Sequence, residues 1–256
     1  FGVFVACVLL PQAALMATGD PRLTELGKLA MILSPGLAGV LLNRGLGDRG
    51  LRPRWAWAPG AAAVTLAVAL GALIVAWTGG AAHFSRETAA PGGVLPLIAA
   101  SALTSVLEEL GWSGGGFALA VRAFGRRWGV LILGLVWAAW HLVAVGFRVG
   151  LFPDLEAGPP AMIIAFVVAC LIYRELLTIL RLQARSWIAG AIGHAAPNML
   201  IAGLMAAGLT GFHRSEAWAL FPAPGGLVFP LLALLAVLAL HRLTSTGRIE
   251  KASPTP

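Results

Sequence analysis

VLPLIAASALTSVLEELGW, residues 94–112, decides how this chain is to be read. Residues 94–107 carry no charge at all, and then Glu108 and Glu109 stand side by side where the apolar run ends. An ionised side chain within a membrane costs on the order of 3 kcal/mol even on the lenient insertion scale, so such residues persist mainly where they do chemistry or move ions. Two later apolar stretches hold polar residues in the same manner: His141 in one, His194 with Asn198 in the other.

Working outward, the whole chain has this character. Hydrophobic residues make up 59% of the sequence, charged residues 11%, and the mean hydropathy is +0.86, against about 25% charged residues in an ordinary soluble domain. Matched to the roughly 20 residues that cross a bilayer, the apolar runs give eight spans: 1–18, 29–42, 55–77, 94–110, 128–146, 159–173, 187–208 and 227–240. The expected fold class is therefore all-α, a polytopic membrane helix bundle of about eight transmembrane helices. One membrane-embedded domain is expected over residues 1–245, with a short disordered cytoplasmic tail at 246–256.

Charge placement sets the orientation. With both termini cytoplasmic, the inner segments hold Arg44, Arg49, Arg52, Arg54, Arg122, Arg126, Arg127, Arg174, Arg181, Arg185, Arg242, Arg248 and Lys251, thirteen of the 18 basic residues. The other side keeps Arg22, Lys28, Arg86, Arg148 and Arg214. That asymmetry is the positive-inside bias. The net charge of +7 accordingly reads as topology and contact with anionic membrane lipids, and gives no support to a nucleic-acid partner.

Cys7 and Cys170 fall inside spans without disulfide or zinc spacing and read as small apolar residues. The chain opens on Phe1, and a signal peptide is the alternative reading of residues 1–17. The Gly-, Pro- and Ala-rich outer loops at 78–93 and 209–226 read as plain connections, His83, His213 and His241 as surface residues, and Trp55, Trp77, Trp128 and Trp187 as interfacial anchors.

The polar residues fall at matching depths. Glu108 lies near the inner end of the fourth span, His194 about two turns into the seventh, and His141 about a turn or two deeper in the fifth. Three helices can thus meet around one polar cavity in the cytoplasmic half of the bilayer. The i, i+4 spacing of His194 and Asn198 points both from one helix face. Ala189, Gly190, Gly193, Ala195 and Ala196 around them allow close packing, while Pro197 bends the helix or frees a carbonyl. Glu108 and Glu109 are about 100° apart on their helix, so one faces the cavity and the other supports it.

These residues resemble a known family. Glu108-Glu109-Leu110-Gly111-Trp112, Trp137-Ala138-Ala139-Trp140-His141 and His194-Ala195-Ala196-Pro197-Asn198 resemble, in the right order, the EExxxR, FxxxH and HxxxN motifs of the CPBP intramembrane proteases. That group contains the CAAX prenyl endopeptidases of Ras-converting type and bacteriocin-processing relatives. The resemblance implies an endopeptidase of the cell membrane, on this reading the bacterial inner membrane, acting on a membrane-associated or lipidated peptide or protein. It implies that Glu108 with His141 activates a water, that His194 and Asn198 steady the oxyanion, and that Glu109 belongs to the site. A glutamate mechanism needs no cofactor. Zn2+ is the rival, with Glu108, His141 and His194 as a two-histidine, one-carboxylate set.

Two positions depart from the pattern. Ser113 stands where the first motif has arginine, followed by Gly114, Gly115 and Gly116, and Trp137 stands where the second has phenylalanine. Either Arg122, Arg126 or Arg127 folds back to replace the missing cation, or the site is weakened; the aromatic exchange keeps a ring beside His141. Two other functions stay open at this point: a catalytically silent immunity or scaffold relative, and a proton-coupled transporter.

Overall fold

The structure, a computed structural model, describes residues 1–42, 54–85, 92–210 and 218–252. Helices order nearly all of it. Helices α1 (Gly2–Met16) and α2 (Pro21–Leu42) form a hairpin; a short turn at Trp55–Trp57 leads into α3 (Ala58–Thr78); α4 is Val94–Glu109. From there the helix widens into a π-helical segment, Leu110–Gly116, and continues as α5 (Phe117–Gly146). The short α6 (Pro153–Ala157) precedes α7 (Pro160–Ala184), α8 (Trp187–Ala206) and α9 (Val228–Ala252).

The chain is all-α, and its packing is that of a membrane helix bundle. Among the described residues, five helical segments are long and apolar enough to cross a membrane: Pro21–Leu42, Trp55–Thr78, Val94–Gly146, Pro160–Ala184 and Trp187–Ala206. Gly2–Met16 and Val228–Leu243 are apolar but shorter. The 53-residue segment Val94–Gly146 would measure roughly 80 Å if straight, more than twice a hydrocarbon core. It is not straight, because Gly125 leaves helical geometry at φ 72°, ψ 171°. Polar side chains are buried alongside the apolar core, Gln12, Thr65, Ser105, Glu109 and Arg174 fully, whereas large apolar ones such as Leu95, Ile164 and Leu235 are exposed, a pattern that suits helices facing lipid.

Helix α8 occupies the middle, packed against α3, α4 and α7, while α5 packs on α7 and α2 on the π segment. Small residues make this possible. A Cβ on Gly39 of α2 would come within 2.8 Å of Gly111 Cα, so these two backbones lie in direct contact, as glycine permits between membrane helices. The contact also supports the π turn, which is otherwise a poor geometry.

Several expectations need correction. The stretch left between the fourth and fifth expected spans is helical over Leu110–Gly116, and the break falls later, at Gly125. The sixth expected span, 159–173, stops too early: α7 runs on to Ala184 and buries Arg174 and Arg181. Removing those two from the inner set leaves eleven basic residues against five, and Arg44, Arg49, Arg52, Arg86 and Arg214 lie outside the described residues. The tail expected from residue 246 is helical as far as Ala252. The outer loops are more than connections, since β1 (His83–Phe84) pairs antiparallel with β2 (Leu209–Thr210), joining the chain after α3 to the chain after α8.

Candidate active site

The last turn of α4 carries two carboxylates into different surroundings. Glu109 is fully buried. Its Oε1 accepts a hydrogen bond from Arg174 Nη2 at 2.5 Å, and its Oε2 accepts from Arg174 Nη1 at 2.9 Å, a bidentate pair. Ser113, one turn on, donates its hydroxyl to Oε2 and itself accepts from Arg174 Nη1 at 3.2 Å. His194 Nδ1 closes the set at 3.1 Å from Oε1.

This answers the question raised by Ser113. Arg122, Arg126 and Arg127 are exposed around the Gly125 break and do not fold back. The cation comes instead from Arg174 on α7, and the serine hydroxyl fills the space between it and Glu109. Helix α8 presses close here, because a Cβ on Gly190 would lie 2.7 Å from Ser113 Oγ and 3.3 Å from Glu109 Oε2. Arg181, two turns further along α7, donates its Nε to the Ser113 carbonyl and lies 4.2 Å over the Phe117 ring, bracing the π segment.

Glu108 is held differently. Its Oε2 accepts from the indole Nε1–H of Trp137 at 3.2 Å. Among the described residues no hydrogen bond is made to its Oε1. Glu108 therefore keeps one free carboxylate oxygen where Glu109 has none. One turn earlier on α4, Ser105 Oγ accepts from Asn198 Nδ2 at 3.1 Å and donates to the Ser101 carbonyl at 2.8 Å.

The two histidines present the same ring nitrogen. His141 Nδ1 lies 2.9 Å from the Trp137 carbonyl oxygen, and a carbonyl only accepts, so Nδ1 carries the proton and Nε2 of the neutral ring offers a lone pair. His194 Nδ1 faces the Arg174-paired carboxylate of Glu109, which fixes the same tautomer for its neutral ring. The Trp137 ring contacts both, its centre 5.5 Å from that of the His141 ring and 5.3 Å from that of His194.

Pro197 explains how α8 is held at this level. A proline removes the hydrogen bond to the carbonyl four residues earlier, here Gly193, yet α8 continues unbroken to Ala206. The Tyr173 hydroxyl donates to Gly193 O at 2.8 Å. The freed carbonyl is thus claimed by α7, immediately before His194.

All five expected site residues are brought to the meeting of α4, α5 and α8, although not as one set. Glu109 bonds His194 directly, Glu108 bonds Trp137, whose ring contacts both histidines, and Asn198 meets α4 at Ser105. Among the described residues no three His, Cys, Asp or Glu side chains are grouped to hold a metal ion. His194 Nδ1 is bonded to Glu109, and the Trp137 ring contacts both histidine rings. Sequence reasoning missed Arg174, Tyr173 and Ser105. The signal for Arg174 was present, since Leu176, Leu177, Ile179 and Leu180 continue the apolar run beyond it.

Residues 90–200 match the family model described as type II CAAX prenyl endopeptidase Rce1-like. The match takes in Glu108, His141, His194 and Asn198 together with Arg174, which no motif names. No curated protein matches the chain. Over that segment, which builds the buried cluster, the chain is similar to the type II CAAX prenyl endopeptidases of the Rce1-like family.

Proposed function

We propose that the protein is an intramembrane endopeptidase that hydrolyses a peptide bond in a membrane-associated or lipidated substrate at the inner face of a bacterial cell membrane. On this reading the bundle has eight spans with both termini cytoplasmic, an orientation favoured by the remaining excess of basic residues in the inner segments. One observation carries the catalytic reading: of two adjacent carboxylates, Glu109 is fully occupied by Arg174, Ser113 and His194, and Glu108 retains a free oxygen.

A water held between Glu108 Oε1 and His141 Nε2 loses its proton to the carboxylate as its oxygen attacks the peptide carbonyl. The negative charge formed on the carbonyl oxygen is met by the second N–H of the Asn198 amide, whose first N–H is engaged by Ser105. His194, held by its Nδ1 bond to Glu109, sets α8 so that Asn198 meets that charge. Glu108 then returns the proton to the departing amine, so the sequence closes without a further acid. Arg174 and Tyr173 touch no reacting atom in this scheme and act by holding Glu109 and α8.

The test is cleavage of membrane-anchored peptides by the purified protein in proteoliposomes. Glu108→Ala and His194→Ala are expected to abolish cleavage while leaving membrane insertion intact. Equal cleavage by wild type and both variants overturns the reading and favours a silent scaffold.

A further inference from the structure

Trp137 is the second departure from the family pattern, and the expectation that it merely keeps a ring beside His141 understates it. A phenyl ring at this position would preserve edge contact with His141 and would have nothing to donate. The indole has one N–H, and it goes to Glu108 Oε2. The same ring stacks on Tyr173 at 6.3 Å and 21°, and the Arg174 guanidinium lies 4.4 Å from its centre. It meets His194 nearly perpendicular, at 85°. Trp137 is almost wholly buried, so these contacts leave its plane little freedom.

A carboxylate at the end of three rotatable bonds, with a single partner, takes its orientation from that partner. For Glu108 the partner is the indole. We propose that Trp137 is a positioning residue: its N–H fixes one oxygen of Glu108 so that the other faces the space between His141 and His194, and its ring sets the distance between those two histidines. The proposal rests on the peptidase reading for its kinetic consequence, but the bond itself is testable without activity.

The chain that carries phenylalanine instead is Trp137→Phe, and it removes the donor while keeping an aromatic ring. In proteoliposomes kcat is expected to fall by ~10- to 100-fold, the range for a hydrogen bond to a charged group. KM should stay within about two-fold, since ground-state binding does not use this bond. The midpoint of the pH–rate profile should move, because a donor to the carboxylate has been withdrawn. Unchanged kcat together with an unmoved profile overturns the proposal.

A second measurement holds whatever the kinetics do. The protein has nine tryptophans, and their indole 15N–1H resonances can be compared between wild type and Glu108→Gln in detergent micelles. The resonance that vanishes in Trp137→Phe is expected to shift in Glu108→Gln. If Trp137→Phe does not fold, the comparison of wild type with Glu108→Gln still decides, because no moving indole resonance means no bond to Glu108. Equal cleavage by wild type and Glu108→Gln sinks the peptidase reading alone, leaving the resonance to judge Trp137.

Discussion

Glu108 and Glu109 share a peptide bond, and almost nothing else. Glu109 is enclosed, with an arginine from another helix on both its oxygens, a serine hydroxyl and a histidine. Glu108 has one indole donor and an open oxygen. About 100° of helical rotation separates them, enough to turn one toward α7 and the other toward α5. The difference teaches that a buried carboxylate pair is two devices: one neutralised to hold helices together, the other left with capacity to take a proton.

The largest effects should come from breaking the enclosed side. Arg174→Met strands Glu109 in the interior, and loss of one partner of a buried ion pair costs about 3–5 kcal/mol. Melting in detergent is expected to show a strongly destabilised or unfolded protein, and cleavage to be absent. Arg174→Met combined with Glu109→Leu should recover most of the stability and none of the activity; failure to recover would mean that the pair is not what holds the helices. Glu108→Gln attacks the open side. Cleavage is expected to drop by about 10²- to 10⁴-fold, the usual contribution of an acid–base group, with a melting temperature near that of wild type. Equal destabilisation by Arg174→Met and Glu108→Gln would erase the contrast.

A finer comparison concerns α8. Tyr173→Phe leaves Gly193 O without a donor, at a cost of about 1–3 kcal/mol for a buried unsatisfied group. Adding Pro197→Ala restores a backbone N–H for that carbonyl, so the double variant should regain most of the loss in a thermal melt. Non-additivity of that sign is the signature to look for. The smallest effect is expected from Ser105→Ala, which frees the Asn198 amide. A few-fold fall in kcat, with about 1 kcal/mol or less in stability, would fit a residue that only orients its neighbour.

The sequence was most informative where hydropathy and chemistry pulled apart. Glu108, His141 and His194 are legible because each interrupts an apolar run, and their helices do converge. Arg174 was misplaced for the reason that the rule of thumb works elsewhere: a basic residue after an apolar stretch ordinarily marks the membrane surface. Here its partner lies 65 residues earlier, and no local pattern reports a pairing at that distance. The π segment hid for a different reason. Leu110–Gly116 has the glycine content of a loop, and only the backbone of α2 against it explains why it stays helical. Trp137 was noticed as an aromatic and not as a donor, since its N–H has meaning only once Glu108 is beside it.

The Arg174–Glu109 pair has a bearing on biogenesis. Arginine at the centre of an isolated helix raises the cost of membrane integration by about 2.5–3.5 kcal/mol, and Arg174 sits well inside α7. Glu109 carries the mirror-image difficulty on α4. Each helix therefore enters lipid more readily in the other's company, and the nascent chain is committed as a unit spanning α4 to α7. Glycosylation mapping of α7 in a Glu109→Ala background would reveal this as a rise in the fraction of chains that fail to integrate.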